Sequence, residues 1–379
     1  MKLIHTGDLH IGKIIHEFSM LEDQRFALNN LIELIKEEKP DVLVIAGDLY
    51  DRSVPPADAV EVLSDFFTKV IKETNTKIMT IAGNHDSSER LSFLQRVLEG
   101  EGLYIEGAFS GDVKKVTLSD ESGEVDFYLL PYTDPSEVRK LYKRSDVKSH
   151  EDALKCIIDN INIDKRSVLI AHAFVGASSM EVCDSERPLN IGNAEIVSPI
   201  IFKDFTYTAL GHLHRPQRAG SDNIRYSGSL LKYSVSEAKQ DKSVSIVTID
   251  GDGKVEVTLK KLSLKRDLRV IRGYLNDLID PDSYEGENLD DYIFAELLDE
   301  GELIDPIGSL RGVYNNVLGL KKVSKGKSDV SLDSARNYRE KGIDELFIDF
   351  YLEFNEEIDD KRKDEMLKVI KSSVAEVSL

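Results

Sequence analysis

Tryptophan is absent, and cysteine occurs only twice, at Cys156 and Cys183. Neither cysteine stands in a CxxC pair, so the expectation is two reduced thiols in a cytosolic protein. No run of 18 apolar residues occurs, which excludes a transmembrane helix at the sequence level. The opening MKLIHTGDLH lacks the basic and apolar regions of a signal peptide and already reads as a strand followed by polar ligands. An excess of cations is also missing. Lys and Arg number 49 against 69 Asp and Glu, a net charge of −20. That balance argues against non-specific nucleic-acid binding through charge alone, because counterion release needs local cations. It leaves room for a site where bound metal ions hold a phosphate.

What is present is a repeated grammar. Val42 to Ala46 form a short apolar run that ends in Gly47-Asp48, the pattern of a buried parallel strand delivering a carboxylate at its end. Four other runs do the same. Leu3 to Thr6 lead into Gly7-Asp8-Leu9-His10, and Ile78 to Ala82 into Gly83-Asn84-His85-Asp86. Val168 to Ala171 lead into His172, and Tyr207 to Leu210 into Gly211-His212-Leu213-His214. In α/β sheets, ligands collect at the carboxyl ends of parallel strands, so the five deliveries point at one pocket. Five of the eight histidines fall in these motifs. Of the others, His5 reads as a core histidine within the first strand. His16 lies just beyond the first motif, where a side chain could touch substrate. His150 reads as a surface residue.

These residue types suit two divalent cations about 3.5–4 Å apart that clamp the attacking and leaving oxygens of a phosphoryl displacement. Asp48 reads as the bridging carboxylate. Asp8, His10 and His214 complete one ligand set, and Asn84, His172 and His212 the other. Asp-x-His and His-x-His present two ligands on one side of a strand end, because alternate residues point the same way. Mixed nitrogen and oxygen donors suit manganese, iron or zinc without choosing among them. His85 is left over as the group that protonates the leaving oxygen or stabilises the phosphorane. Asp51 and Asp86 read as carboxylates that orient ligands from behind.

Around the motifs, residues 22–38, 57–72 and 87–100 carry helical periodicity, so the first hundred residues read βαβαβα. Short strands follow between 103 and 130, then a helix at 151–162, and a strand with a hairpin over 224–262. The first domain is expected over 1–265 and a smaller α/β segment over 266–322. A Ser/Lys-rich linker follows over 323–334, and a helical tail over 335–379. Arg266, Arg269 and Arg272, among other basic residues near the second segment, read equally as a phosphate-tracking rim or as a solvated face. In the tail, Leu346, Phe347, Phe350, Tyr351 and Phe354 recur at helical spacing amid an acidic stretch, the pattern of a helix docking on a partner.

The constellation GDLH, GDLYDR, GNHD, AH and GHLH resembles the calcineurin-like metallophosphoesterase superfamily, with no motif position missing. GHLHRPQ followed by IRYSGSLLKYSVSEAKQDKSV, together with the later segments, resembles its bacterial SbcD nuclease family over nearly the whole chain. The resemblance implies an α/β fold: a metallophosphoesterase β-sandwich flanked by helices, a smaller α/β capping domain and a helical C-terminal tail. It also implies a manganese-dependent DNA nuclease, a 3′-5′ exonuclease on duplexes and an endonuclease on single strands and hairpins. Such a nuclease is a cytoplasmic homodimer partnered by an SbcC-like coiled-coil ATPase. A small-molecule phosphodiesterase or phosphatase on the same core is the competing reading. A non-catalytic scaffold would predict a degraded ligand set, which the sequence does not show.

Overall fold

The computed structural model describes residues 1–323 apart from 94, 164–165, 177–179, 181 and 187–195, together with residue 363. The chain divides into two compact units, 1–322 and 323–379. The expected linker and helical tail fall in the second and lie outside the described residues, residues 323 and 363 aside.

Two six-stranded sheets face one another. The first runs in the order Val255–Lys261, Ser243–Ile249, Lys2–Thr6, Val42–Ile45, Lys77–Ile81 and Leu103–Glu106. Lys2–Thr6 pairs antiparallel with Ser243–Ile249 and parallel with Val42–Ile45, and the pairing stays parallel to the far edge. The second sheet runs Gln217–Ala219, Ser221–Tyr226, Tyr207–Gly211, Ser167–His172, Gly123–Leu130 and Lys114–Asp120. Its central strands are parallel.

The alternation of each strand explains the layers. Val42 and Val44 point between the sheets, where they meet Met79, Ile81, Phe127, Leu129, Val168 and Ile170. Leu43 and Ile45 point the other way, onto helices α1 (Leu21–Glu38) and α2 (Ala57–Glu73) through Leu28, Leu31, Ile35, Leu63 and Phe66. On the outer face of the second sheet, Leu169, Ala171 and Leu210 pack with Leu154 and Ile157 of the helix His150–Ile158. Strands buried on both faces need apolar residues at every position, which is why the motif strands read as continuous runs. Helix α1 ends at Lys39, whose left-handed backbone (φ 48°) sends its N–H to the Ile35 carbonyl ahead of Pro40.

Two local expectations are corrected. The helix expected over 87–100 is broken into Ser88–Leu91 and Gln95–Glu99, although Ser87 does cap the first piece by accepting from the Arg90 N–H. His150 is not a surface residue. It opens its helix through the Ser149–Asp152 capping box, and its ring lies 5.8 Å from that of Tyr132, buried to 7 % exposure.

A third sheet of three parallel strands, Leu268–Gly273, Tyr292–Leu297 and Asn316–Lys322, has its own small core around Ile293, Ala295, Leu310 and Val317. It packs on the first turn of α1. Arg266 forms a two-pronged ion pair with the fully buried Asp23 (2.9 and 2.7 Å), its guanidinium lies over the Tyr292 ring, and the Tyr292 hydroxyl donates to Asp23 at 2.8 Å.

Candidate metal centre

All five motif strands end at one point, three from the first sheet and two from the second. The loops after them continue the pairing, with the Asp8 N–H on the Gly47 carbonyl (3.1 Å) and the His10 N–H on the Asp48 carbonyl (2.9 Å). Space there is tight. A Cβ on Gly83 would sit 2.2 Å from Asp48 Oδ1, and one on Gly211 1.8 Å from the Ala46 carbonyl oxygen. Glycine before the ligand is therefore a steric requirement at these two ends. Asp8, His10, Asp48 and His212 themselves adopt positive φ (51°, 44°, 49° and 107°), a costly conformation for residues with side chains.

The residues expected as one ligand set, Asp8, His10 and His214, each place one donor atom within 4.8 Å of the others. Asp8, Asp48 and His172 do likewise. Asp48 Oδ2 stands between the sets, 3.6 Å from His10 Nε2 and 3.5 Å from His172 Nε2. Asn84 Oδ1 lies 2.9 Å from His172 Nε2 and 3.3 Å from His212 Nδ1. The structure thus brings together all seven residues proposed as ligands from the sequence.

The chemistry of the donors fits divalent cations. The Ala46 carbonyl accepts from His172 Nδ1 at 2.9 Å, so the proton is on Nδ1 and a lone pair faces the site from Nε2. His10 Nε2 and His214 Nε2 face each other at 3.1 Å. Asp8 Oδ2 and His10 Nδ1 are buried with no hydrogen-bond partner among the described residues. Burial, reinforced by the Asp48 charge, raises the Asp8 carboxyl well above the usual range. Burial first, and neighbouring imidazoles next, push His10 and His212 well below the ordinary histidine value. A cluster that disfavours both its own anions and its own protons is one that a cation would stabilise.

His85 is part of the same cluster. Its N–H donates to Asp48 Oδ1 at 2.9 Å, its Nδ1 donates to the Asp51 carbonyl at 2.8 Å, and its ring stands edge-on to His10 at 4.7 Å. Donor atoms of His10, Asp51 and His85 also converge within 4.8 Å. Lys13 pairs with Asp51 at 2.8 Å. Asp86 accepts from the backbone N–H groups of Leu49, Tyr50 and Gly83, which ties two motif loops together. Burial and the Asp48 charge raise its carboxyl to about 7.

Residues 1–216 match the calcineurin-like phosphoesterase family, more than half of the chain. The chain is a calcineurin-like phosphoesterase. Its family places it among the metal-dependent phosphoester hydrolases. Residues 264–354 match a second family, SbcD_C, described as the type 5 capsule protein repressor C-terminal domain. Among solved structures, YfcE, a phosphoesterase from E. coli, is similar at 14% identity over 69% of this chain and 100% of its own, with a TM-score of 0.28. TT1561 of Thermus thermophilus is similar at 13% identity over 68% of this chain and 98% of its own, with a TM-score of 0.34.

The phosphoesterase core also holds residues that motif reading did not find. Gln24 on α1 accepts from the Gly12 N–H and donates to the His10 carbonyl (2.9 and 2.7 Å), and Tyr233 donates to the Leu9 carbonyl. His5 is a satisfied core histidine, shared between the Tyr207 hydroxyl and the Leu210 carbonyl. His16 is exposed, with its ring 6.5 Å from Phe294 of the third sheet. Arg266 is spent on Asp23, and Arg269 on Asp291 and Glu287, both at 2.7 Å. Neither offers a free guanidinium, because carboxylates distant in sequence fold onto them. Arg272 is 58% exposed, 3.9 Å from Glu296.

Proposed function

We propose that this phosphoesterase is a DNA nuclease subunit, using two divalent cations, with manganese the foremost candidate, to hydrolyse backbone phosphodiesters. The observation that carries the reading is the pairing of a full two-sided donor set around Asp48 with a further domain matching the SbcD C-terminal family. The donor set alone serves any phosphoester. A small-substrate phosphatase has no evident need of the added three-stranded sheet, which is fastened to the helix beside the first motif.

In this reading Asp8, His10 and His214 would hold one cation and Asn84, His172 and His212 the other, with Asp48 the carboxylate available to both. When bound, the cations supply Lewis-acid stabilisation of the phosphoryl oxygens and a water of lowered pKa. The chain's own residues do the rest. The Asp48 carboxylate is oriented by the His85 N–H. The His85 ring is fixed through Nδ1, so Nε2 is the atom that delivers a proton to the leaving oxygen. Asp86 and Asp51 hold the loops that carry Asp48 and His85. Arg272, the most exposed of the three arginines, is the candidate phosphate contact.

The family resemblance extends the proposal to exonuclease action on duplexes, endonuclease action on single strands and hairpins, a homodimer, and a cytoplasmic SbcC-like ATPase partner. No helix among the described residues is long and apolar enough to cross a membrane.

Cleavage of an end-labelled duplex with Mn²⁺ by wild type and Asp48→Ala tests the core of this reading. Degradation by wild type alone is expected. Hydrolysis of a chromogenic phosphodiester without cutting of any DNA form, duplex, hairpin or single strand, would favour a small-molecule phosphodiesterase instead.

A further inference from the structure

His214 is gripped from three directions by residues outside the five motifs. Its N–H donates to Glu186 Oε1 at 2.6 Å. Its carbonyl accepts from Lys242 Nζ at 2.8 Å. Its Nδ1 lies 2.9 Å from Ser185 Oγ and 3.4 Å from Glu237 Oε1. The Ser185 hydroxyl donates onward to that same Glu237 oxygen.

Glu237 is the hub. It lies on a single 3₁₀ turn, Val235–Glu237, and is fully buried. Oε1 also accepts from the Tyr233 N–H (3.2 Å) and the Ser234 hydroxyl (3.0 Å). Oε2 receives Lys242 Nζ. Lys242 is itself buried, with its remaining contacts on Ser229 Oγ and Gln240 Oε1. The Lys242 ammonium on Oε2, and three separate donors on Oε1, are the surroundings of a carboxylate anion.

A buried ion pair is a poor way to gain stability, since apolar residues of similar volume do as well or better. It is a good way to fix geometry. An anionic Oε1 accepts and never donates, so the chain from His214 Nδ1–H to Ser185 Oγ–H to Glu237 runs in one direction. That direction puts the His214 proton on Nδ1 and leaves the lone pair on Nε2, the atom facing His10 across the site.

We propose that Glu237, anchored by Lys242 and relayed by Ser185, is a positioning residue that locks His214 as the Nδ1–H tautomer with Nε2 presented as a cation donor. The inference rests on the two-cation reading above, and it assigns a role to the segment after the last motif. Residues of this kind govern metal affinity by about 10–100-fold.

The test uses the full chain and Glu237→Gln. With Gln, Lys242 keeps the amide oxygen, and the amide N–H₂ turns toward Ser185 and His214, reversing the chain. Nitrogen-15 NMR of the metal-free protein should show His214 as Nδ1–H in wild type and shifted toward Nε2–H in the variant. Titration with Mn²⁺ should show at least a tenfold weaker site, and Glu237→Asp should restore the wild-type tautomer. An unchanged tautomer and unchanged Mn²⁺ affinity in a folded Glu237→Gln would make the pair merely structural and overturn the proposal. If Glu237→Gln does not fold, Ser185→Ala takes its place, with a several-fold loss of affinity expected and no loss overturning the relay. Failure of wild type to bind Mn²⁺ would sink the two-cation reading, while the tautomer measurement still decides the positioning role.

Discussion

His172 Nε2 and Asn84 Oδ1 are 2.9 Å apart, and both present lone pairs, because His172 spends its one proton on the Ala46 carbonyl. Two acceptors in contact repel unless something positive lies within reach of both. Adding Mn²⁺ is therefore expected to raise thermal stability, by about 2.7 kcal/mol at a hundredfold excess over Kd. In Asn84→Ala and His172→Ala that increment should shrink. Thermal unfolding with Mn²⁺ and with chelator reads it directly, and equal increments in all three proteins would remove both residues from the ligand set.

His85 is held at two points, by the Asp48 carboxylate and the Asp51 carbonyl, yet its donor atoms also converge with those of His10 and Asp51. The expectation is that His85→Gln keeps two bound cations and loses at least about 10²-fold in cleavage rate, the scale of a lost general acid. Metal analysis of the purified variant separates the roles. Loss of one cation would make His85 a ligand rather than a proton donor.

Acid should destabilise the fold through His5. Burial pulls its pKa down to about 3, against about 6.5 in the unfolded chain. Between those values the unfolded state holds a proton that the folded state does not. Stability is thus full above pH 6.5 and falls as pH drops toward 3, by up to about 1.4 kcal/mol per pH unit for this one group. Burial lowers His10, His172 and His212 as well, so they add slope of the same sign. His5→Asn should flatten the dependence by one proton's worth in urea unfolding at pH 7, 6, 5 and 4. An unaltered slope would show that His5 takes up its proton equally in the folded and unfolded states.

Arg266 and Arg272 should separate cleanly. Arg266→Ala strands the buried Asp23 carboxylate with only Tyr292 for company, a loss of about 3 kcal/mol in urea unfolding. Arg272→Ala should leave stability unaltered, weaken DNA binding, and reduce the slope of log affinity against log salt by about one. Fluorescence anisotropy across a salt series measures the second effect, and an unchanged slope would take Arg272 out of the interface.

Deleting residues 335–379 should spare Mn²⁺ binding and abolish association with the proposed SbcC-like ATPase. Co-purification of the truncated chain with an SbcC-like ATPase at wild-type yield would end the docking-helix reading.

Four of the five strand ends were legible in the sequence because three signals coincide there, an apolar run, a glycine and a donor residue, whereas the His172 end carries only the run and the donor. The sandwich was legible only through resemblance, since nothing in VLVI says which sheet faces it. Glu237 was not legible. It sits in a polar stretch, SVSEAKQ, that has the composition of a loop, and its importance arises from a turn folding back under His214. The ion pair of Arg266 was hidden for a similar reason. Its partners Glu22 and Asp23 are more than 240 residues away, so the sequence displays the cation without the carboxylates that consume it. His150 follows a good capping serine, which marks a helix start but not which side of it is covered.

Four of the residues gathered at the site hold their backbone in the left-handed region, at a cost on the order of 1–3 kcal/mol each. Glycine or asparagine would sit there more comfortably. A search for heat-resistant variants of this chain would therefore be drawn toward Asp8, His10, Asp48 and His212, and each success would be an inert protein. Screens for durability in this scaffold need a hydrolysis assay beside the melting curve, because here a gain in one is the signature of a loss in the other.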